Sequence, residues 1–170
     1  MNQILETERL ILRELDIQDA QFMFQLLNSH GWIKYIGDRN IKSKEDAKEY
    51  IQKGPLVSYA ANRFGLYAIE LKESKLAIGV CGLLKREYLE FVDIGFALLP
   101  EYEAKGYAYE AVHACLCYSK SQLNISRFAA ITLPTNNRSI QLLLRLGFTF
   151  NNNFIFESTN EELQFYSVNL

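Results

Sequence analysis

Apolar residues recur along the chain at the spacings typical of strands and helices. Residues 9–13 alternate like a half-buried strand, and Asp16 precedes a helical pattern that ends near residues 28–31. A second helix is predicted after Ser43, which is followed by early acidic residues suited to a helix N-terminus. Further strands are predicted at 64–71, 76–84, 91–99, 127–133, 153–157 and 163–168, with helices at 106–123 and 139–146. This order of elements predicts an α+β (mixed α/β) layered domain, and no linker divides residues 1–170.

Composition narrows the class of protein. The chain is 49% hydrophobic and 22% charged, as in an ordinary globular protein, and its net charge is −2. This balance argues against a nucleic-acid binder or a membrane-surface protein, which would need a basic excess. Its three cysteines have no disulfide or metal-site spacing, so no metal is expected. With no signal peptide or membrane span apparent, we expect a cytoplasmic protein, either a monomer or a homodimer.

The segment after Pro100 has the features of an anion-binding loop. A strand ends at this proline, a short turn follows, and a helix begins among small residues. The first amides of a helix have no partner within the helix, and its dipole favours an anion there. Ala104, Gly106 and Ala108 leave the backbone uncovered, and Lys105 adds a positive charge. The pattern is compatible with a pyrophosphate site, and equally with a helix start that is small for packing reasons.

Several motifs in order resemble the GNAT acetyltransferase superfamily, specifically its ribosomal-protein-alanine N-acetyltransferase (RimJ/RimL-like) branch. The similar segments are 7–13, 93–100, 103–108, 136–139 and 146–148. The resemblance implies a central twisted, mostly antiparallel sheet with helices on both faces. It also implies transfer of an acetyl group from acetyl-CoA to a primary amine, on a protein N-terminus or a small molecule. A degenerate module that binds CoA, or serves for interaction, without turnover is the alternative.

The same resemblance implies which residues bind the cofactor. These are Phe96, Ala97 and Leu98 beside the pantetheine arm, the loop residues Glu103, Ala104, Lys105, Gly106, Tyr107 and Ala108, and the helix-start residues Asn136, Arg138 and Ser139. Two loop residues depart from the family pattern. Glu103 replaces the usual Arg, Gln or Trp, and its carboxylate would repel a pyrophosphate unless it points to solvent. Ala104 replaces a common Gly and is expected to be tolerated if its φ is negative. For Asn136 helix capping is the alternative role, and for Arg138 a solvated helix position.

Two residues are candidates for proton transfer. Asp93 matches the family's strand glutamate and shares a strand face with Gly95 and Ala97, so we consider it as general base. Its alternative role is a structural acid paired with Arg or Lys. At the position of the family's tyrosine acid stands Leu143, which cannot donate a proton, so Ser139 is the substitute. Helix capping is the alternative role of Ser139.

The acceptor side is less clearly marked by the sequence. The resemblance places four aromatic residues in the part of the chain that forms the acceptor side, and core packing explains them equally well. They are Trp32, Tyr35, Tyr59 and Phe64. The sequence therefore indicates an amine acceptor without identifying it.

Overall fold

A single eight-stranded sheet organises the computed structural model, which describes residues 2–157 and 159–170. The strands are β1 (Gln3–Glu6), β2 (Leu10–Glu14), β3 (Leu66–Leu71), β4 (Ala77–Leu84), β5 (Val92–Leu98), β6 (Arg127–Thr132), β7 (Thr149–Phe156) and β8 (Glu161–Asn169). They lie in the order β1-β2-β3-β4-β5-β6-β8-β7. All neighbours are antiparallel except β5 and β6, so the predicted mostly antiparallel sheet is confirmed.

In the part of the chain that the structure describes, six α-helices flank this sheet. They are α1 (Ala20–Leu27), α2 (His30–Tyr35), α3 (Lys44–Lys53), α4 (Pro55–Asn62), α5 (Tyr107–Leu123) and α6 (Asn137–Arg145). Leu26 of α1 and Ile51 of α3 belong to one buried cluster, which includes Val80 of the sheet. Val112 of α5 and Leu143 of α6 belong to a second cluster, with Phe128 of β6. The helices therefore cover both faces, and two hydrophobic layers enclose the sheet.

Three elements were not predicted from the sequence, namely β1, α2 and α4. The strand β7 also begins at Thr149, before the predicted start at 153. The earlier start was not apparent from the sequence, because the first residues of β7 are exposed and show no alternation of apolar and polar positions. The predicted helix at Ser139 begins earlier, at Asn137. Within the described residues, no helix combines the length and hydrophobicity needed to cross a bilayer.

The parallel contact between β5 and β6 is short. The two strands pair only through Val92 with Phe128 and Asp93 with Ala129. Beyond these pairs β5 continues to Leu98 and β6 to Thr132, without further register between them among the described residues. Each strand then leads into a helix, β5 into α5 and β6 into α6. The fold thus places two helix N-termini beside a pair of diverging strands, the arrangement in which α/β proteins bind ligands.

Candidate active site

The second half of β5 presents backbone groups toward the divergence. Leu99, directly after β5, donates its N–H to Ile78 O in β4, and the register of β4 with β5 runs without a shift. Because the direction of backbone groups alternates along a strand, Ala97 also faces β4, whereas Phe96 and Leu98 direct theirs toward the β6 side. Phe96 and Leu98 pack their side chains in the α5 layer, and Ala97 packs in the opposite layer. The strand can therefore offer Phe96 and Leu98 to an extended ligand.

A run of free amides follows at the start of α5. The backbone N–H groups of residues 104–109 have no hydrogen-bond acceptor among the described residues, and the first such bond is from Glu110 N–H to Gly106 O. Tyr107 and Ala108 are the first two residues of α5, which is 17 residues long in total. Amides that converge at a helix N-terminus favour a phosphate group. The Lys105 ammonium lies 5.5 Å from the ring centroid of Tyr102, within the same loop.

The loop achieves its shape with two left-handed residues. Gly106 has a φ of +83° and Ala104 a φ of +58°. The condition under which Ala104 was expected to be tolerated, a negative φ, is therefore not met. Alanine adopts this conformation at a cost that glycine does not have, because its Cβ approaches the following carbonyl oxygen. The backbone path of the loop nevertheless follows the geometry for which the family's glycine is suited.

Glu103 and Arg138 form an ion pair through Oε2 and Nη1. Glu103 precedes the free amides, and Arg138 lies in the first turn of α6. The expected repulsion between Glu103 and a pyrophosphate is thus reduced, because a positive charge is bound to the carboxylate. Both predicted alternatives for Arg138 omitted this partner.

The start of α6 separates the roles of two predicted site residues. Asn136 is the N-cap, because its Oδ1 accepts the backbone N–H of Ser139 at 3.3 Å. Ser139 is therefore not the capping residue, and its hydroxyl makes no hydrogen bond in the part of the chain that the structure describes. Leu143 lies one turn further along the same helix face and is 1% exposed. The Ser139 hydroxyl thus stays available on a half-buried face, whereas Leu143 is part of the core.

Asp93 is a buried carboxylate with one satisfied oxygen. Its Oδ2 accepts a hydrogen bond from Arg86 Nε at 2.6 Å, while Oδ1 is buried without a hydrogen-bond partner. Burial raises the pKa of Asp93 to about 6, against the opposing effect of Arg86. The backbone N–H of Ile131 also lowers the pKa slightly, although its geometry does not satisfy Oδ1. The predicted ion pair is present, and the raised pKa is a feature that structural acids and catalytic groups share.

A cavity of about 290 Å³ lies on the sheet face that carries Asp93. Leu84 lines it and is the register partner of Asp93, and partners in an antiparallel pair share a face. Gly95 lies close to Leu84, since a Cβ at that position would lie 2.9 Å from Leu84 Cδ1 and the leucine side chain would have to shift. Helix α4 and Lys85 supply other parts of the wall. A second cavity, of about 430 Å³, adjoins the first through Tyr50 and Gly54.

Most of the aromatic residues considered for the acceptor side are in the core. Trp32 and Phe64 are buried. Tyr59 accepts the N–H of Leu15 at 3.1 Å and donates its hydroxyl to Leu66 O, so it connects two segments of the fold. The cavity walls consist mainly of α3 and α4 residues instead. The sequence did not indicate this, because α4 itself was not predicted.

Similarity to known proteins identifies the family of this chain. Residues 9–149 match the family described as acetyltransferase (GNAT) domain. The chain belongs to the GNAT acetyltransferase family. A relative, the uncharacterized N-acetyltransferase YoaA of Bacillus subtilis (strain 168), is 34% identical over 147 residues, which are 85% of this chain and 82% of YoaA. The GNAT fold and the predicted acyltransferase activity are therefore confirmed.

Solved GNAT structures share the fold at low identity. RimL, the ribosomal L7/L12 alpha-N-protein acetyltransferase in complex with coenzyme A, has a TM-score of 0.85 and 17% identity, over 99% of this chain and 98% of RimL. The microcin C7 self-immunity acetyltransferase MccE, in complex with acetyl-CoA and AMP, has a TM-score of 0.82 and 18% identity, over 96% and 94%. These cofactors are compatible with the acetyl-CoA expected for the GNAT chain described here.

Proposed function

We propose that this GNAT protein transfers the acetyl group of acetyl-CoA to a primary amine by direct attack, within the RimJ/RimL-like branch. The observation that carries the proposal is the run of free amides at residues 104–109, next to the unpaired side of β5. A pyrophosphate suits the first feature, and an extended amide-containing arm suits the second. Acetyl-CoA contains both groups: its pantetheine is the amide-containing arm, with the pyrophosphate at one end and the acetyl thioester at the other.

The cofactor then lies along the divergence of β5 and β6. Loop residues Glu103 to Ala108 surround its pyrophosphate, chiefly through backbone N–H groups. Phe96 and Leu98 hydrogen-bond the pantetheine with their backbone, and Ala97 keeps the opposite face of the strand small. Asn136 fixes the start of α6 by capping it, and Arg138 holds Glu103 away from the phosphates.

The acceptor amine enters through the cavity between α4 and the sheet. Its nitrogen attacks the thioester carbonyl, a C–N bond forms, and the C–S bond breaks. The nitrogen gives up a proton to Asp93, which is ionised above pH 6, directly or through a water. Arg86 holds Oδ2 of Asp93, so Oδ1 is the oxygen proposed to accept the proton.

Ser139 is proposed to give a proton to the departing thiolate. Its hydroxyl has no partner among the described residues and belongs to the helix that starts beside the diverging strands. Leu143 is buried and leaves no other hydroxyl on that helix face. A CoA thiolate is a moderately good leaving group, so a weak acid suffices to complete the step. A proton from solvent then restores the Ser139 hydroxyl, and Asp93 releases to solvent the proton that it accepted.

Release of free thiol from acetyl-CoA tests the proposal. The acceptor panel contains peptides with a free N-terminus, a polyamine and amino acids, since the fold does not identify the acceptor. We expect thiol release with at least one class, and thermal stabilisation by CoA. Stabilisation by CoA without thiol release from any acceptor favours the non-catalytic alternative. If CoA neither stabilises the protein nor binds to it in calorimetry, the proposed cofactor site is refuted. The cytoplasmic location, the one-domain organisation and the monomer or homodimer state stay predictions.

A further inference from the structure

The loop before α5 is held from outside by Arg9, which precedes β2 and is almost a hundred residues distant in sequence. Its Nη1 donates a hydrogen bond to Lys105 O at 3.1 Å. Its Nε donates to Glu110 Oε2 at 2.7 Å, in the first turn of α5. The guanidinium carbon lies 4.5 Å from the ring centroid of Tyr107. The Arg9 side chain therefore contacts three residues of the candidate phosphate site and the first turn of α5, namely Lys105, Tyr107 and Glu110.

The bond to Lys105 O determines the direction of an amide. The described residues contain no cis peptide, and a trans peptide directs its C=O and the next N–H to opposite sides. Because Arg9 binds Lys105 O, the N–H of Gly106 points away from Arg9. Gly106 itself is also close to the Arg9 side chain, since a Cβ at Gly106 would lie 3.3 Å from Arg9 Nη2. Arg9 thus supports the loop from one side and directs an amide to the other.

Arg9 also compensates a charge. Glu110 is an acid in the first turn of the helix whose N-terminus would bind phosphates. Burial alone would raise the pKa of Glu110. Hydrogen bonds from Thr7 Oγ1 at 2.5 Å and from Arg9 N–H at 2.9 Å, together with the Arg9 guanidinium, outweigh this effect, so the pKa of Glu110 is lowered overall. Glu110 is therefore ionised, and Arg9 binds its second oxygen. Without Arg9 the carboxylate would be an unpaired anion beside the free amides.

We propose that Arg9 is a positioning residue for the pyrophosphate of acetyl-CoA, although it touches no cofactor itself. It acts through Lys105 O and Glu110, by orienting the amides of the loop and cancelling the nearby charge. This inference rests on the proposed binding of acetyl-CoA at residues 103–108. It gives a function to the Thr-x-Arg motif at residues 7–9, because Thr7 and Arg9 both bind Glu110.

The test compares two acetyl donors in the full chain. Acetyl-CoA contains the pyrophosphate, and S-acetylpantetheine lacks it. We expect Arg9→Gln to raise KM for acetyl-CoA about tenfold, the worth of one charge-assisted hydrogen bond. We expect kcat with saturating acetyl-CoA, and kcat/KM for S-acetylpantetheine, to stay within about twofold of the parent. Arg127→Gln is the matched control, because Arg127 is also exposed and stacks on Phe91, at 4.0 Å, away from the loop.

An unchanged KM for acetyl-CoA in Arg9→Gln would overturn the proposal. An equal loss with both donors would also overturn it, because a general structural defect affects both. Should Arg9→Gln fail to fold, Arg9→Lys is measured in the same way, since it keeps the charge but not the guanidinium fork. A smaller rise in KM, confined to acetyl-CoA, is then expected. If the parent itself neither binds CoA nor uses either donor, the proposed function fails instead, so the two failures are distinct.

Discussion

Glu103 and Arg138 form an ion pair that joins the loop before α5 to the first turn of α6. The two elements follow β5 and β6, whose register ends after two residue pairs. The contact thus connects the two sides of the proposed cofactor site. It also explains how an acid is accommodated next to a run of free amides, because the acid carries its own counter-charge.

Separating this pair is expected to change cofactor affinity in opposite directions. Arg138→Gln leaves the Glu103 carboxylate unpaired near the phosphates and should raise KM for acetyl-CoA about threefold, as expected for an exposed ion pair. Glu103→Gln removes the negative charge and should lower KM by a similar factor. The double variant should return close to the parent value. Steady-state kinetics at low and high salt measure these effects, and a change of the same sign in both single variants would contradict the electrostatic explanation.

Ala104→Gly is expected to stabilise the protein. Ala104 has a φ of +58°, a conformation that costs an alanine more than a glycine. The free energy of unfolding should rise by about 1 kcal/mol, which corresponds to a melting temperature about 2–4 °C higher. The matched control is Ala114→Gly in the middle of α5, which should lower stability by about 0.5–1 kcal/mol. Thermal denaturation distinguishes them, and a destabilised Ala104→Gly variant would refute the strain argument.

The pH dependence of activity tests the role of Asp93. Burial raises its pKa to about 6, so kcat/KM should fall as the pH decreases through about 6 and the base becomes protonated. Arg86 opposes this shift, so Arg86→Gln should move the acidic limb to a higher pH. Asp93→Asn should lower kcat/KM and lose the limb. The same acceptor is used throughout, so that ionisation of the amine is common to all profiles.

A purely structural Asp93 predicts a different pattern. In that case Arg86→Gln would lower stability but leave the midpoint of the acidic limb unchanged. Profiles of the parent and the variant that differ only in height would therefore remove Asp93 from the proton transfer.

Ser139→Ala is expected to affect the chemical step more than binding. Loss of the hydroxyl should lower kcat about a hundredfold, at the lower end of what a positioned acid contributes, and should change KM for acetyl-CoA less than about twofold. The control is Ser121→Ala near the end of α5, where the exposed hydroxyl bonds only to Tyr118 O. An unchanged kcat in Ser139→Ala would show that solvent protonates the thiolate.

The hydrophobic pattern was sufficient to predict the strands and helices that bury a regular stripe. Helix α5 is an example, because Ala111, Val112 and Cys115 recur on one face and are all buried. Such a stripe is lacking in the missed helix α4 and in β7, whose start was predicted too late. Among the eight residues of α4, only Pro55 is buried, and most of β7 is exposed. For these segments, tertiary contacts rather than local pattern determine the structure.

Those features of the site that depend on the local backbone could be predicted from the sequence. The side-chain contacts between segments far apart in sequence could not. The small residues of the loop indicated a helix N-terminus that can receive an anion. Nothing local indicated that Arg138 would bind Glu103, or that Arg9 would bind Lys105 O. Both contacts join segments tens of residues apart. The sequence also did not indicate that Ala104 has a positive φ, because the loop needs a left-handed residue at this position whatever its side chain.

The short contact between β5 and β6, of two residue pairs, also determines where the sheet can open locally. Among the described residues, the register that joins the N-terminal five strands to the C-terminal three consists of Val92 with Phe128 and Asp93 with Ala129. Amide protons of Phe96 and Leu98 should therefore exchange with deuterium quickly, whereas those that β4 binds exchange slowly. A ligand that hydrogen-bonds this side of β5 would take the place of a neighbouring strand and protect these amides from exchange. Cofactor binding would therefore also strengthen the connection between the two parts of the sheet.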